Sequence, residues 1–573
     1  MQKPCCDRCA TIGKPCVWPK GQDECAPGGK CGPFTALAIV PEASHQDRLA
    51  LDYFLARTCE HIIGTWGIST WKAAFVQCAI AEPAIQRVSI ALGALHCGHE
   101  SGFGFQGHAL AQYVAALRAV RDGMMRLSGC LEILLLACLL FCGYECMNYH
   151  IDSAMSHLKS GINLALQRSA TPKTRANFSN TGLITLLLPV LRLLDNDRLC
   201  LGATSFQAKE DMSFQVPETF TDLNHAVDLL TRVLNLAHRQ LAVVSRGEMP
   251  SNYLGSLEKT HAWNRAFDAW TIHHSNNLRD EDIGNVLPVL IWQRLIEIML
   301  KAHYVKGEMA WDDMDQDFDH IMDCAELFMD LAAELVPHGE SAKHPLDYVH
   351  EPPNVRSQQT LTVHHNGEVK ESVLAEILAN SPSSTPPTQS SSPASATLEK
   401  TKAQIAKSLL LARAQSIARS KNPSWSQSRA VNAPVHARPT FTVSHGIVYP
   451  LFAVVARCRH PKRRRRALDV LESCNRHEGL WDSKLAAQSA KRLIMVEETE
   501  AVSALKRQEK DVLTAITSAS QIPNHCRVRA TSKTFTQDGR IVERFCFGWE
   551  GSLHAALRSE KKERWIELDV PPT

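Results

Sequence analysis

The chain lacks the sequence patterns that define several large classes of proteins. None of its 573 residues belongs to a phosphate-cradling GxxxxGK[ST] loop, a G-x-S-x-G nucleophile elbow or an H-E-x-x-H helix. We find no secretory signal in the N-terminal sequence. The net charge is only +2, from 62 basic and 60 acidic residues. We therefore expect no enzyme of the classes that these motifs define, no secreted protein, and no binding of polyanions through overall charge.

Long apolar runs are scarce as well. The most apolar run, residues 133–144, has 12 residues, whereas a helix needs about 20 to cross a bilayer. We expect no membrane span and interpret this run as a central helix that is buried on all sides. No heptad run of three or more repeats follows Cys31, so the sequence does not predict a coiled-coil dimer.

Cysteine, by contrast, is frequent, and three cysteines near the start have metal-binding spacing. Cys6, Cys9 and Cys16 form a C-x2-C-x6-C pattern. Two thiolates two residues apart can chelate one ion in a tight turn, and the third can close on the same ion after a short helix. Zinc prefers four such ligands in a tetrahedron. We predict that these three thiolates bind Zn²⁺, which leaves one ligand to be supplied from elsewhere.

The other cysteines leave alternatives open. Cys5, Cys25 and Cys31 could supply the fourth ligand of a self-contained zinc site, or they could be unpaired surface thiols in a Pro/Gly-rich linker. Another 13 cysteines lie beyond residue 31. We expect those in apolar surroundings, such as Cys130 and Cys142, to be small buried hydrophobes in a reducing compartment rather than disulfide partners.

Around its first cysteines the chain resembles the second half of the fungal Zn2Cys6 binuclear cluster, and Gly13-Lys14-Pro15 and Trp18-Pro19 fit that family too. The resemblance implies that Cys6 is the bridging fourth cysteine and that Cys9 and Cys16 are the fifth and sixth. The first half, which carries the basic helix that reads the major groove, does not precede Met1. We expect this element to be missing or encoded upstream, and residues 1–31, with five basic and three acidic residues, to bind DNA poorly.

Residues 46–335 follow a helical pattern. Apolar residues recur at spacings of three and four between His108 and Leu127, where we expect one buried face, formed by Leu110, Tyr113, Leu117, Val120 and Met124. Further helices are expected from Arg48, from Pro83 and from Ser153. The fold class is therefore predicted to be mostly α.

This helical region resembles the fungal-specific transcription factor domain, also called the middle homology region. The resemblance covers roughly 46–335 and 441–500. The segments that carry it are Leu51-Asp52-Tyr53-Phe54-Leu55, Glu82-Pro83-Ala84-Ile85, Gly446-Ile447-Val448-Tyr449-Pro450, Cys458-Arg459-His460-Pro461 and Glu478-Gly479-Leu480-Trp481-Asp482. It implies a nuclear, regulatory, all-helical domain without catalysis, which we expect to control activity by binding a small molecule or another protein in its core. The expected partners of the chain are DNA, transcriptional co-regulators and a second copy of the chain.

Two groups of polar residues invite functional interpretations. His96, His99, His108 and Glu100 lie close together in the sequence, but a metal site requires convergence on one face. Because 101–104 is interpreted as a loop that breaks the helical phase, a structural role is favoured. The basic run comprises Lys462, Arg463, Arg464, Arg465 and Arg466. It is interpreted either as the solvated start of a helix or as a nuclear import signal, and the two roles are compatible.

The C-terminal half contains two departures from the helical pattern. Residues 338–440 are rich in Ser and Pro and are expected to be largely disordered, apart from an isolated basic helix over 399–419 with Ile405, Leu409 and Ile417 on one side. In the tail, Asp538-Gly539 lies between two β-rich runs and predicts a hairpin packed on the helices.

The predicted organisation therefore has six parts. These are a partial zinc cluster (1–31), a linker (32–45), a helical domain (46–337), the insertion (338–440), the rest of the helical domain (441–520) and a tail with the hairpin (521–573). The sequence favours a fungal zinc-cluster transcription factor that binds DNA in the nucleus. The alternative is a helical co-regulator or scaffold that has lost the cluster and acts without DNA.

Overall fold

The structure is a computed structural model. It describes residues 44–63, 75–79, 82–101, 105–127, 130–169, 182–200, 214–245, 253–302, 307–332, 393–421, 440–443, 446–506, 516–535, 541–547 and 565–570. The predicted fold class, mostly α with short strands near the C-terminus, is confirmed.

Helices form most of the described residues before 440. Helix α1 leads into a π-helical turn, Phe54–Thr58, and then into α2. The helices are α1 His45–Tyr53, α2 Cys59–Ile63, α3 Pro83–Ser101, α4 Gln106–Asp122, α5 Met124–Leu127, α6 Leu131–Met147, α7 Ile151–Ser169, α8 Gly182–Cys200, α9 Leu223–Ser245, α10 Tyr253–His274, α11 Asp280–Ala302, α12 Asp315–Ala332 and α13 Pro393–Lys421. A 3-10 helix, Gly307–Asp313, precedes α12.

The C-terminal part combines helices with two small sheets. Its elements are β1 Thr440–Thr442, α14 Val448–Arg457, α15 Pro461–Ser473, β2 Arg476–Glu478, β3 Trp481–Asp482, α16 Ser483–Lys506, β4 Val528–Phe535, β5 Ile541–Phe547 and β6 Trp565–Val570. In the first sheet β2 pairs parallel with β1 and antiparallel with β3. In the second, β5 lies between antiparallel β4 and β6. The predicted hairpin is confirmed as β4–β5, and β6 extends it to three strands.

Helix α6 is the central core helix that the apolar run predicts. Nearly all of its side chains are buried, including polar Glu145. A second helix, α11, was not singled out from the sequence. Its segment Asp282–Ala302 is long and apolar enough to cross a membrane by length and composition alone, and 78% of its most apolar window is buried inside the protein. Such burial is typical of a helix within a core.

The buried faces of two helices differ from the sequence prediction. Helix α4 buries Ala109, Tyr113 and Ala116, whereas Leu110 and Met124 are 56% and 48% exposed. The prediction was right for Tyr113, and Leu117 and Val120 pack half-buried against the core, but it wrongly included Leu110 and Met124 and did not include the buried alanines. Cys130, also expected to be buried, is exposed.

Helix α13 likewise departs from its prediction. It is not isolated, because it packs against α10, α11 and α12. Its buried face consists of Ala403, Ala406, Leu410 and Ala414, and Leu409 is exposed. Its Lys407 ammonium lies 2.6 Å from Asp268 on α10. The remainder of 338–440 before β1 lies outside the described residues.

Residues before and after the insertion share one hydrophobic core. Trp292 on α11 donates a hydrogen bond from Nε1 to the carbonyl of Gly446 at 2.9 Å. The Val443 amide, next to β1, donates to the carbonyl of Ile62 on α2 at 3.1 Å. Gly479, at φ +57°, lets its amide reach Thr442 at 2.7 Å and leaves room for Asp197, which a Cβ would meet at 2.1 Å. The C-terminal helices therefore complete the core that the N-terminal helices begin.

A histidine in this core predicts how stability depends on pH. His238 on α9 is 5% exposed, and burial lowers its pKa to about 3. In the unfolded chain its pKa is about 6.5. Between pH 6.5 and pH 3, therefore, His238 is protonated in the unfolded state but stays neutral in the folded state. The free energy of unfolding should fall as the pH drops from 6.5 toward 3, by about 2 kcal/mol at pH 5 from this residue. Denaturant titrations of His238→Gln should show a loss between pH 7 and pH 5 that is smaller by this amount, and parallel profiles would contradict the assignment.

Candidate functional site

The three cysteines predicted to bind zinc, Cys6, Cys9 and Cys16, lie outside the described residues. So do the alternative ligands Cys5, Cys25 and Cys31. Their ligation of Zn²⁺ stays a prediction. Every cysteine side chain that the structure does describe is a thiol rather than half of a disulfide.

Within the helical body, a polar cluster forms where α1, the π-helical turn and α2 cross α3. The N-terminus of α1 is fixed by a capping box between Ser44 and Asp47. Gly93 of α3 faces α1 so closely that a Cβ there would lie 2.0 Å from the carbonyl oxygen of Ala50. This close approach brings the end of α3 against the π-helical turn. Turns of this kind often occur at functional sites because they displace side chains from helical register.

Three potential metal ligands meet at this crossing. One ligand atom from each of His61, His96 and Glu100 lies within 4.8 Å of the others. We call these three residues the His-Glu cluster. His96 and Glu100 are one turn apart on α3, and His96 Nε2 lies 3.1 Å from Glu100 Oε1. The imidazoles of His61 and His96 have ring centroids 5.0 Å apart.

Neighbouring side chains hold the His-Glu cluster in place. Thr58 Oγ1 lies 3.0 Å from His96 Nδ1, and the Tyr53 hydroxyl donates to Glu100 Oε2 at 2.5 Å. Arg57 Nε lies 3.4 Å from the same carboxylate oxygen. Tyr53, Arg57 and Thr58 belong to α1 and the π-helical turn, so this short segment supplies every neighbour named here.

These surroundings set the charges of the cluster. Burial, together with the neighbouring His96, lowers the pKa of His61 to about 3. Burial alone would raise the pKa of Glu100, but His96, Tyr53 and Arg57 together bring it down to about 2. At neutral pH His61 is therefore uncharged and Glu100 is ionised, which are the states in which these side chains bind metal ions.

Of the three histidines near Glu100 in the sequence, His96 meets it, whereas His99 and His108 do not. Helix α3 continues to Ser101, so His96 and Glu100 share one face, as the metal interpretation required. His99 is exposed on another face, and His108 Nε2 instead contacts Asp47 at 3.1 Å. His61, which was not singled out, completes the cluster from α2. Its signal is weak in the sequence because 34 residues separate it from His96 and only tertiary packing brings them together.

A second set of polar side chains, around buried Glu145, forms hydrogen bonds among its own members. The Tyr113 hydroxyl donates to Glu145 and lies 3.2 Å from His157 Nε2, while His150 Nδ1 lies 2.8 Å from the second oxygen of Glu145. These contacts give Glu145 and His157 hydrogen-bond partners within and beside the helical core.

The basic run begins α15, with Pro461 at its first turn. Its four arginines all form ion pairs, including Arg465, which is also exposed to solvent. Arg463 pairs with Asp315 and Asp319, Arg464 with Glu497, Arg465 with Glu498, and Arg466 with Asp323 and Glu326. Lys462 is exposed. An import receptor would have to compete with these pairs, and the import role stays a prediction.

A buried ion cluster lies beneath the basic run. Glu497 of α16 accepts from Arg459 at 2.9 Å and from Arg464 at 2.8 Å, and all three side chains are fully buried. Glu497 also accepts from the Val528 amide at 2.7 Å. Burial would raise the pKa of Glu497, but the two guanidinium groups hold it below its usual value. We call Arg459, Arg464 and Glu497 the Glu497 cluster. It connects α15 and α16 to the first residue of β4.

Comparison with known proteins identifies the segment that contains the His-Glu cluster. Residues 48–195 match the family model of the fungal specific transcription factor domain. The matched segment includes α6, the His-Glu cluster and the Tyr113–Glu145 pair.

A curated relative extends the likeness beyond the matched domain. The Aspercryptin biosynthesis cluster-specific transcription regulator of Emericella nidulans is 22% identical over 462 residues, which cover 74% of this chain and 69% of the relative. No solved structure matches the chain. Together, the fungal specific transcription factor domain and this relative support a fungal transcription regulator.

Proposed function

We propose that this chain is a fungal zinc-cluster transcription factor that regulates RNA polymerase II transcription in the nucleus. The observation that carries the proposal is the fungal specific transcription factor domain at 48–195. The thiol pattern of Cys6, Cys9 and Cys16, which precedes that domain in the sequence, adds the chemistry of a metal-folded DNA-binding module.

In this proposal the two parts of the chain have different tasks. The three thiolates bind Zn²⁺ and fold the N-terminal segment onto DNA, together with the DNA-reading half if that half is encoded upstream. The helical body controls activity through co-regulators or a second copy of the chain. The relative is named as a regulator specific to one biosynthetic cluster, which suggests that the targets are the genes of such a cluster.

Zinc content tests the metal part. Replacing Cys6, Cys9 and Cys16 by serine in the full chain should remove the zinc that the thiolates bind, because serine hydroxyls are poor zinc ligands at neutral pH. After exchange with Co²⁺, the thiolate-to-cobalt charge-transfer band should be present in the parent and lost in the variant. Cys130→Ser changes an exposed thiol outside the pattern and should keep the band. An unchanged band in the triple variant would contradict the assignment.

Transcription and DNA binding test the regulatory part. Deleting the gene should change the transcripts of a contiguous group of biosynthetic genes, and purified chain should bind their upstream duplexes with an affinity that falls as salt rises. Transcript changes without any DNA binding by the full chain would instead favour the alternative, a co-regulator or scaffold that acts without DNA. Unchanged transcripts would overturn both interpretations.

A further inference from the structure

We propose that the His-Glu cluster of the helical body binds a divalent transition-metal ion of the zinc class. The ligands are His61, His96 and Glu100, two imidazole donors and one carboxylate. This donor set differs from the thiolates near the N-terminus, and the inference does not depend on the proposed function.

The hydrogen bonding of the cluster is the first argument. His61 Nδ1 is buried without an aligned hydrogen bond, and His96 Nε2 and Glu100 Oε1 meet only each other, at 3.1 Å. A buried polar atom without a partner costs about 1–3 kcal/mol. One ligand atom from each of the three residues lies within 4.8 Å of the others. An ion among them would give His61 a partner and would be shared by His96 and Glu100.

The neighbours of the ligands are the second argument. Thr58 Oγ1 meets His96 Nδ1 at 3.0 Å, which holds the imidazole with Nε2 directed toward Glu100 Oε1. Tyr53 and Arg57 both contact Oε2 of Glu100, which leaves Oε1 for the cluster. Metal sites commonly contain outer contacts of this kind, since they fix the tautomer and orientation of each ligand.

An ion pair between His96 and Glu100 is the competing explanation. It accounts for the 3.1 Å approach of these two side chains. It does not account for His61, whose buried Nδ1 faces no hydrogen-bond partner and whose ring lies beside another imidazole. A shared ion accounts for all three residues.

The charges around the cluster set the strength and the consequence of binding. Arg57, 3.4 Å from Glu100, opposes a cation, so we expect an exchangeable ion rather than one held as tightly as in a four-thiolate site. The ion would join α2 to the end of α3, two elements on either side of the π-helical turn. Metal occupancy would thus stiffen one corner of the regulatory domain.

Metal binding is best measured in a full chain whose six N-terminal cysteines, at positions 5, 6, 9, 16, 25 and 31, are replaced by serine. We expect this parent to retain one Zn²⁺ per chain after removal of excess metal. His61→Ala should lose it, and His99→Ala, the matched control on an exposed neighbour of Glu100, should keep it. Thr58→Val should weaken binding about 10–100-fold in a chelator competition.

X-ray absorption at the zinc edge of the parent identifies the ligands directly and does not require any variant to fold. Two imidazoles in a nitrogen and oxygen shell at about 2.0–2.1 Å, without sulfur, would support the site even if His61→Ala fails to fold. A parent without bound zinc would overturn the proposal. So would zinc that His61→Ala retains, or a shell without imidazole.

Discussion

Replacing Glu497 by alanine should destabilise the protein more than any other single change to its charged residues described here, by about 3–5 kcal/mol. The side chain is fully buried between Arg459 and Arg464 and also accepts the Val528 amide. Its removal leaves two guanidinium groups buried without their shared carboxylate. The denaturant midpoint, followed by circular dichroism, measures the loss.

The next residue along α16 provides the control. Glu498 pairs with Arg465, whose side chain is 47% exposed, and an exposed ion pair contributes only about 0–1 kcal/mol. Glu498→Ala should therefore barely move the midpoint. Equal effects of the two substitutions would show that the Glu497 cluster does not hold α15, α16 and β4 together.

Gly93→Ala should produce the second large loss, of about 3 kcal/mol, at the upper end of the range for overpacking. The added Cβ would lie 2.0 Å from the carbonyl oxygen of Ala50 and 3.0 Å from the Cβ of Phe54. Neither atom belongs to the far end of a flexible side chain, so α1 and α3 must separate. Thermal unfolding of the full chain measures the effect.

A second helical glycine should respond in the opposite direction. At Gly143 of α6 the nearest heavy atom to an added Cβ is a Leu92 methyl carbon at 4.0 Å, an ordinary contact. Because alanine has the higher helix propensity, Gly143→Ala should stabilise the protein by about 0.5–1 kcal/mol. No loss of stability at Gly93 would mean that the α1–α3 approach is looser than the structure indicates, and a loss at Gly143 would mean that α6 and Leu92 are packed more tightly.

The elements of the fold were easier to predict than the faces they bury. The apolar run at 133–144 and the patterns after Pro83 and Ser153 identify helices because apolar periodicity is a local property. The face of α4 depends instead on what lies opposite it. There Ala109 and Ala116 are buried and Leu110 remains exposed. The Asp538-Gly539 turn also predicted the hairpin, whereas 17 residues, 548–564, separate β6 from β5, beyond the reach of a local turn pattern.

Site residues were predictable only where their partners are close in the sequence. His96 and Glu100 are one turn apart, and their proximity was visible once the helix was known to reach Ser101. His61 was not predicted, because its place depends on how α2 packs. The basic run shows the same limit. Its arginines resemble an exposed signal in the sequence, but their carboxylate partners lie on α12 and α16.

The hydrogen bond from Trp292 to Gly446, and the core shared by residues on both sides of the insertion, have a consequence for proteolysis. A protease that cuts the chain between 333 and 392 would break a covalent connection without breaking any contact described here. The two fragments should then remain associated and co-elute as a nicked complex. Each fragment made alone would expose the apolar surface that its counterpart normally covers, so co-expression should rescue the solubility of both.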